Sequence, residues 1–162
     1  MPNDYFQFKE FMVRQDKCAM KVCTDSCLLG AYAAMKIQKL NYEPANILDI
    51  GGGTGLLSLM LAQKLKATID SLEIDSAAVE QMKENFQTSP WKNQLNAVYG
   101  DIRTFHEKKY DIIITNPPFF ENDLKGSHIG KTLAKHDTGL LLSELATSIA
   151  NSLKPNGNFY VM

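Results

Sequence analysis

The chain has 162 residues, 44% hydrophobic and 22% charged, an ordinary globular balance that fits one α/β domain. Seventeen basic against eighteen acidic side chains leave a net charge of −1, which lacks the strong basic excess of a dedicated nucleic-acid binder. Any nucleic acid then has to be met by a local patch or by parts outside this chain. Its apolar runs are short and interrupted by charges, so no membrane span is expected. The start, MPNDYFQFKEF, has no basic region followed by an apolar stretch; it does not read as a signal peptide, and the cytoplasm is the expected compartment.

The first 23 residues read as an arm. Phe6, Phe8, Phe11 and Val13 alternate in part and Arg14-Gln15-Asp16-Lys17 breaks the pattern, which predicts a β-hairpin or an extended segment. Cys18, Cys23 and Cys27 follow at a spacing that matches no common zinc or iron–sulfur run. No metal is expected, and buried thiols are the preferred reading. Thr24 or Asp25 can cap a helix through LLGAYAAMKIQ.

From Ala45 strands and helices alternate. NILDIG, ATIDSLEID, NAVYGDI and YDIIIT read as strands, and LLSLMLAQKL and SAAVEQMKENF as helices, the second with Ser76 as its N-cap. GLLLSELATSIANSL is a helix stopped by Lys154-Pro155-Asn156-Gly157, with Gly157 supplying the positive φ, and NFYVM begins a further strand. Continuous apolar strands between helices predict a parallel sheet covered on both faces, the doubly wound, Rossmann-like α/β arrangement. The chain stops at Met162 inside that strand, which reads as one partial domain over residues 1–162.

The first long strand runs into DIGGGTGLLS, where Gly51, Gly53 and Gly55 form G-x-G-x-G. Glycines at a strand-to-helix turn let a ligand approach the backbone. Leu56 stands where the dinucleotide fingerprint has its third glycine, and Asp49 before the loop repels pyrophosphate but suits a cation. Glu73 closes the second strand, placed for ribose hydroxyls. Asp101 closes the third, placed for an adenine amine, with Ile102 against the ring. Each acid alone is as well explained as a helix cap. Three in register after this loop predict an adenosine ligand without pyrophosphate, S-adenosylmethionine, with S-adenosylhomocysteine as its product.

YDIIIT delivers Asn116-Pro117-Pro118-Phe119 to the same edge. The lone pair of an amide or aromatic amine is delocalised, and two acceptors on its N–H groups can aim it at a sulfonium methyl. Asn116 and the Pro117 carbonyl supply such acceptors, Pro118 stiffens the turn and Phe119 offers a stacking face. Taken alone, Asn-Pro-Pro is only a turn; beside the glycine loop it predicts direct in-line methyl transfer.

The pattern resembles the class I methyltransferases that carry N-P-P-[FYW] and act on amino groups. More narrowly, FKEFMVRQDKCAMKVCTDSCLLGAYA, LDIGGGTGLLSLMLAQ, VEQMKENFQTSPW, DIIITNPPFF and LAKHDTGLLLSEL resemble the bacterial tRNA1(Val) (adenine(37)-N6)-methyltransferase family over essentially the whole chain. The resemblance implies an adenine beside the anticodon of one valine tRNA as substrate, with tRNA the partner. It also implies that Lys21, Thr24 and Asp25 lie over the cofactor or at the substrate mouth; a packed arm with a helix cap is an equal alternative. The family pattern K-V-G-T-D-G is read here with Cys23 and Cys27 in place of its glycines. The polar segment ENDLKGSHIGKTLAKHD, with Lys125, His128, Lys131, Lys135 and His136, is either a substrate loop contacting phosphate or a solvated loop. Trp91 is expected to pack rather than stack on a ligand. Family members run on through two more strands, so the fifth sheet strand is expected to present an open edge capable of association. Two alternatives remain: a glutamine methyltransferase acting on release factors, and a fragment that binds cofactor without turnover.

Overall fold

The computed structural model describes residues 3–117 and 140–162, and two sheets carry its fold. Strands β1 (Tyr5–Gln7) and β2 (Met12–Arg14) form the antiparallel N-terminal hairpin. Helix α1 (Thr24–Ile37) leads to β3 (Asn46–Ile50), α2 (Leu56–Ala62), β4 (Thr68–Glu73), α3 (Ser76–Thr88), β5 (Leu95–Tyr99), β6 (Tyr110–Thr115), α4 (Leu142–Ser152) and β7 (Leu153–Val161). The five later strands form one parallel sheet in the order β5-β4-β3-β6-β7.

The apolar runs are continuous because both faces of the sheet are covered. Ile47 of β3 and Ile112 and Ile114 of β6 meet the side built from α1, α2 and α3, with Leu29, Ile37, Leu59, Met82 and Phe86. Leu48, Ile50, Tyr110 and Ile113 meet the other side, with Ile102, Leu145 and Ile149. At about 25 cal/mol per Å² of buried apolar surface, two such layers supply the main driving force for folding. A Cβ on Gly30 of α1 would lie 2.6 Å from Met60 Sδ, so the glycine lets α1 pass close to α2.

The hairpin is fastened by Asn85 of α3. The Arg14 N–H donates to Asn85 Oδ1 at 2.8 Å, and Asn85 Nδ2 donates to the carbonyls of Arg14 at 2.9 Å and Thr54 at 2.8 Å. Asn85 is 1% exposed, so these bonds satisfy a buried amide that would otherwise be costly. Phe8 stacks on Phe11 with centroids 4.7 Å apart, and Phe11 meets Trp91 edge-on at 5.7 Å, giving Trp91 the packing role expected of it.

Three local expectations are corrected. The N-cap of α3 is Asp75, whose carboxylate accepts the Ala77 N–H at 2.9 Å, so Ser76 is the first helical residue. The N-cap position of α1 is Cys23, without a side-chain cap bond; Thr24 and Asp25 already lie inside the helix. At the end of α4 the positive φ belongs to Asn156, at 63°, not to Gly157. A Cβ on Gly157 would sit 2.9 Å from the Asp111 carbonyl oxygen, so close approach is what that glycine serves. Residues 154–157 bulge out of the ladder, whose register passes from Tyr110↔Leu153 to Ile112↔Asn158.

Among the described residues β7 pairs on one side only, with β6, and exposes Phe159 and Val161. No described helix is long and apolar enough to cross a membrane.

Candidate functional site

A cavity of about 590 Å³ opens at the carboxyl ends of β3, β4, β5 and β6. The chain winds outward from β3 to β4 and β5, then returns to β6 on the other side, and ligands in parallel α/β sheets bind at such a switch point. The volume lies in the range of small-molecule sites.

The loop after β3 forms one wall. Gly51, Gly53 and Gly55 hold φ of 71°, 52° and 82°, left-handed values that cost a side chain free energy. A Cβ on Gly51 would meet nothing within 4 Å, so that position faces open space. The one on Gly55 would lie 2.5 Å from the Phe86 ring, so the last glycine serves packing instead.

Glu73 stands on the cavity wall at the end of β4. Its Oε2 accepts the Gly53 N–H at 2.9 Å, and Oε1 accepts the N–H groups of Ile74 at 2.8 Å and Asp75 at 2.9 Å. Asp101 and Ile102 lie on the same wall. The sequence gives no sign of the partner that Asp101 has. The Arg103 Nε lies 3.0 and 2.9 Å from its two oxygens and Nη2 lies 2.5 Å from Oδ2. That guanidinium holds the Asp101 carboxyl below the usual range. The Arg103 backbone N–H also donates to Oδ1 at 2.9 Å, so each carboxylate oxygen already faces two Arg103 donors.

Asp49 is not on the wall; it lies fully buried behind the loop. Its Oδ2 accepts from Ser58 at 2.7 Å and Ser71 at 2.9 Å, while Oδ1 has no partner among the described residues. Burial pushes its pKa up to about 6 against the pull of the two serines.

Asn116 and Pro117 line the same cavity, together with Thr115, Lys21 and Ser26. Asn116 Nδ2 donates to Ser26 Oγ at 2.8 Å. Thr24 and Asp25 are exposed and lie off the wall. Counted along Lys21-Val22-Cys23-Thr24-Asp25-Ser26, the second glycine of K-V-G-T-D-G falls on Ser26, which corrects the expectation that Cys27 replaces it. Cys18 is buried as expected, but Cys23 is exposed and Cys27 half-buried. Pro118, Phe119, Lys125, His128, Lys131, Lys135 and His136 lie outside the described residues. Sequence reasoning missed Ser26 and Arg103.

The family description "Methyltransferase small domain" matches residues 31–161. A tRNA1(Val) (adenine(37)-N6)-methyltransferase of Dyadobacter fermentans is 47% identical over 162 residues, covering 99% of this chain and 65% of the relative. One of Cytophaga hutchinsonii is 44% identical over 165 residues, covering 100% and 67%. The chain thus spans about two thirds of the length of the curated relatives it matches. Among solved structures, the glycopeptide N-methyltransferase MtfA complexed with sinefungin aligns with a TM-score of 0.59 at 16% identity, over 82% of this chain and 47% of that one. The CcbJ methyltransferase from Streptomyces caelestis aligns at 0.58 and 19%, over 82% and 50%. These two likenesses concern the fold.

Proposed function

The chain belongs to the tRNA1(Val) (adenine(37)-N6)-methyltransferase family, and from that premise we propose that it transfers a methyl group from S-adenosylmethionine to the N6 amino group of an adenine in a tRNA anticodon loop. The observation that carries the reading is the meeting of Asn116-Pro117 with Gly51, Gly53, Glu73 and Asp101 around one cavity.

The residues fit a nucleoside sulfonium. Gly51 leaves open space at the loop, Glu73 Oε2 accepts one bond and keeps a lone pair for a ribose hydroxyl, and Asp101, beside Ile102, takes an adenine amine in exchange for part of its hold on Arg103. Asp49 adds a buried negative charge behind the loop, which favours a cation over pyrophosphate. Bound there, S-adenosylmethionine supplies an electrophilic methyl group.

Asn116 Oδ1 and the Pro117 carbonyl accept the two N–H groups of the substrate amine. That grip turns the nitrogen lone pair out of conjugation and toward the donor, an effect of orientation rather than of acid or base. A loop base leaves its stack at a cost of a few kcal/mol or less. Phe119 is assigned the stacking face and Pro118 the stiffening of the turn; Lys21, Lys131 and Lys135 are assigned contacts to tRNA. Thr24 and Asp25, off the cavity wall, are left to the rim. The reaction is placed in the cytoplasm with its tRNA, and the open edge of β7 is offered as a surface for association.

The test is a methyl-labelling assay on unmodified total tRNA and on release factor, followed by mass mapping of the nucleosides. Label in N6-methyladenosine of one valine tRNA is expected. Label confined to protein overturns the reading.

A further inference from the structure

We infer that Ser26 is a positioning residue that sets which edge of the Asn116 amide faces the cavity; its bearing on catalysis rests on the function proposed above. Ser26 sits in the first turn of α1, on the cavity wall, while its neighbours Thr24 and Asp25 are exposed. A serine there commonly bonds to its own helix backbone. This one instead accepts the Asn116 Nδ2–H at 2.8 Å, across 90 residues of chain.

The proton count is compatible with this direction. A serine hydroxyl has one proton and two lone pairs, so it can serve either edge of an amide. Ser26 Oγ also lies 3.2 Å from Cys23 Sγ. With its proton directed to that sulfur, Oγ meets Asn116 as an acceptor, and an acceptor selects Nδ2. The amide is planar, so holding Nδ2 on Ser26 turns Oδ1 the other way, and Oδ1 receives no donor among the described residues. Were the amide reversed, an N–H would meet the N–H of an incoming amine, donor against donor. Ser26 thereby acts on the substrate through the Asn116 oxygen and does not touch the reacting atoms.

The experiment compares Ser26→Ala and Ser26→Thr in the full chain, with Ser26→Gly as a second way to remove the hydroxyl. Two readouts are taken with S-adenosylhomocysteine or S-adenosylmethionine present. The first is the side-chain amide resonance of Asn116 in nitrogen-15 spectra, assigned by its loss in Asn116→Ala. Its hydrogen-bonded, slowly exchanging N–H is expected to vanish in Ser26→Ala and persist in Ser26→Thr. The second is methyl transfer to unmodified tRNA. Ser26→Ala is expected to lose about tenfold in kcat, the scale of one orienting hydrogen bond, with KM for tRNA and the Kd of S-adenosylhomocysteine within about twofold. Ser26→Thr is expected to recover most of the loss. An unchanged Asn116 resonance in Ser26→Ala overturns the inference, as does equal loss of kcat in the Ala and Thr variants. A wild-type chain that methylates no tRNA defeats the parent reading instead, and the resonance then decides the Ser26 link by itself.

Discussion

The backbone N–H of Gly53 donates to Glu73 Oε2 at 2.9 Å, tying the loop after β3 to the end of β4. The other carboxylate oxygen holds the N–H groups of Ile74 and Asp75. Glu73 therefore shapes the site before any ligand arrives. Glu73→Ala frees three backbone donors and removes the acceptor proposed for the ribose. It is expected to weaken S-adenosylhomocysteine binding by at least about tenfold, since hydrogen bonds to a charged group contribute about 1.5–3 kcal/mol. Glu73→Gln keeps one acceptor oxygen and should fall between. Calorimetric titration checks the order, and an alanine variant with wild-type affinity removes Glu73 from the cofactor grip.

Asn116→Ala separates binding from chemistry. The residue directly follows β6 on the cavity wall and takes no part in the Gly53–Glu73 bond. Turnover is expected to drop about a hundredfold with cofactor affinity within about twofold, the pattern of an orienting group lost. Single-turnover methylation beside calorimetry on the same variant measures both. Loss of cofactor binding in a folded variant contradicts the division.

Asp49 links stability to pH. Burial raises its folded pKa to about 6, above the unfolded value near 3.9. Between those values the folded chain binds more protons than the unfolded one, so this group's contribution to stability falls as pH rises from about 4 to about 6. Asp49→Asn abolishes the dependence. Urea unfolding at pH 4.5 and pH 7 is expected to show wild type gaining on the variant at the lower pH, by on the order of 1–3 kcal/mol. Asp70, Asp101 and Asp111 have lowered values and pull the opposite way in both proteins, so the difference isolates Asp49. A difference that stays flat with pH contradicts the assignment.

Two glycines of the loop should fail differently. Gly51→Ala meets open space and pays only for its left-handed backbone, about 1–2 kcal/mol. Because its added methyl enters the cavity, it should weaken S-adenosylhomocysteine binding as well. Gly55→Ala pays the same backbone cost and drives a methyl to within 2.5 Å of Phe86, adding about 1–3 kcal/mol of overpacking. Thermal melts and ligand titrations on both variants test this. Equal destabilisation of the two would show that Phe86 yields freely.

The strands were legible because burial on both faces leaves runs such as YDIIIT without a polar partner position, and structure and sequence agree there. The glycine loop was legible because its turn demands three left-handed residues. Ser76 and Asp75 are both competent caps, and only the reach of Asp75 to Ala77 decides between them. The bond from Asn116 to Ser26 joins positions 90 residues apart, and no local pattern encodes it. Arg103 escaped notice for a different reason: it is two residues from Asp101, but only the turn after β5 folds the guanidinium back onto that carboxylate.

Asn85 grips both backbone groups of Arg14 from 71 residues further along the chain. At synthesis rates of roughly 5–20 residues per second, that separation amounts to about 4–14 s in which the hairpin has left the ribosome and its clasp has not yet been made. During that interval Phe11, and Phe8 packed beside it, lack the Val79, Met82 and Phe86 layer of the core they join in the folded chain. The first element translated is thus one of the last to be seated, and slow codons ahead of α3 would lengthen the time its aromatic rings stand open to chaperones.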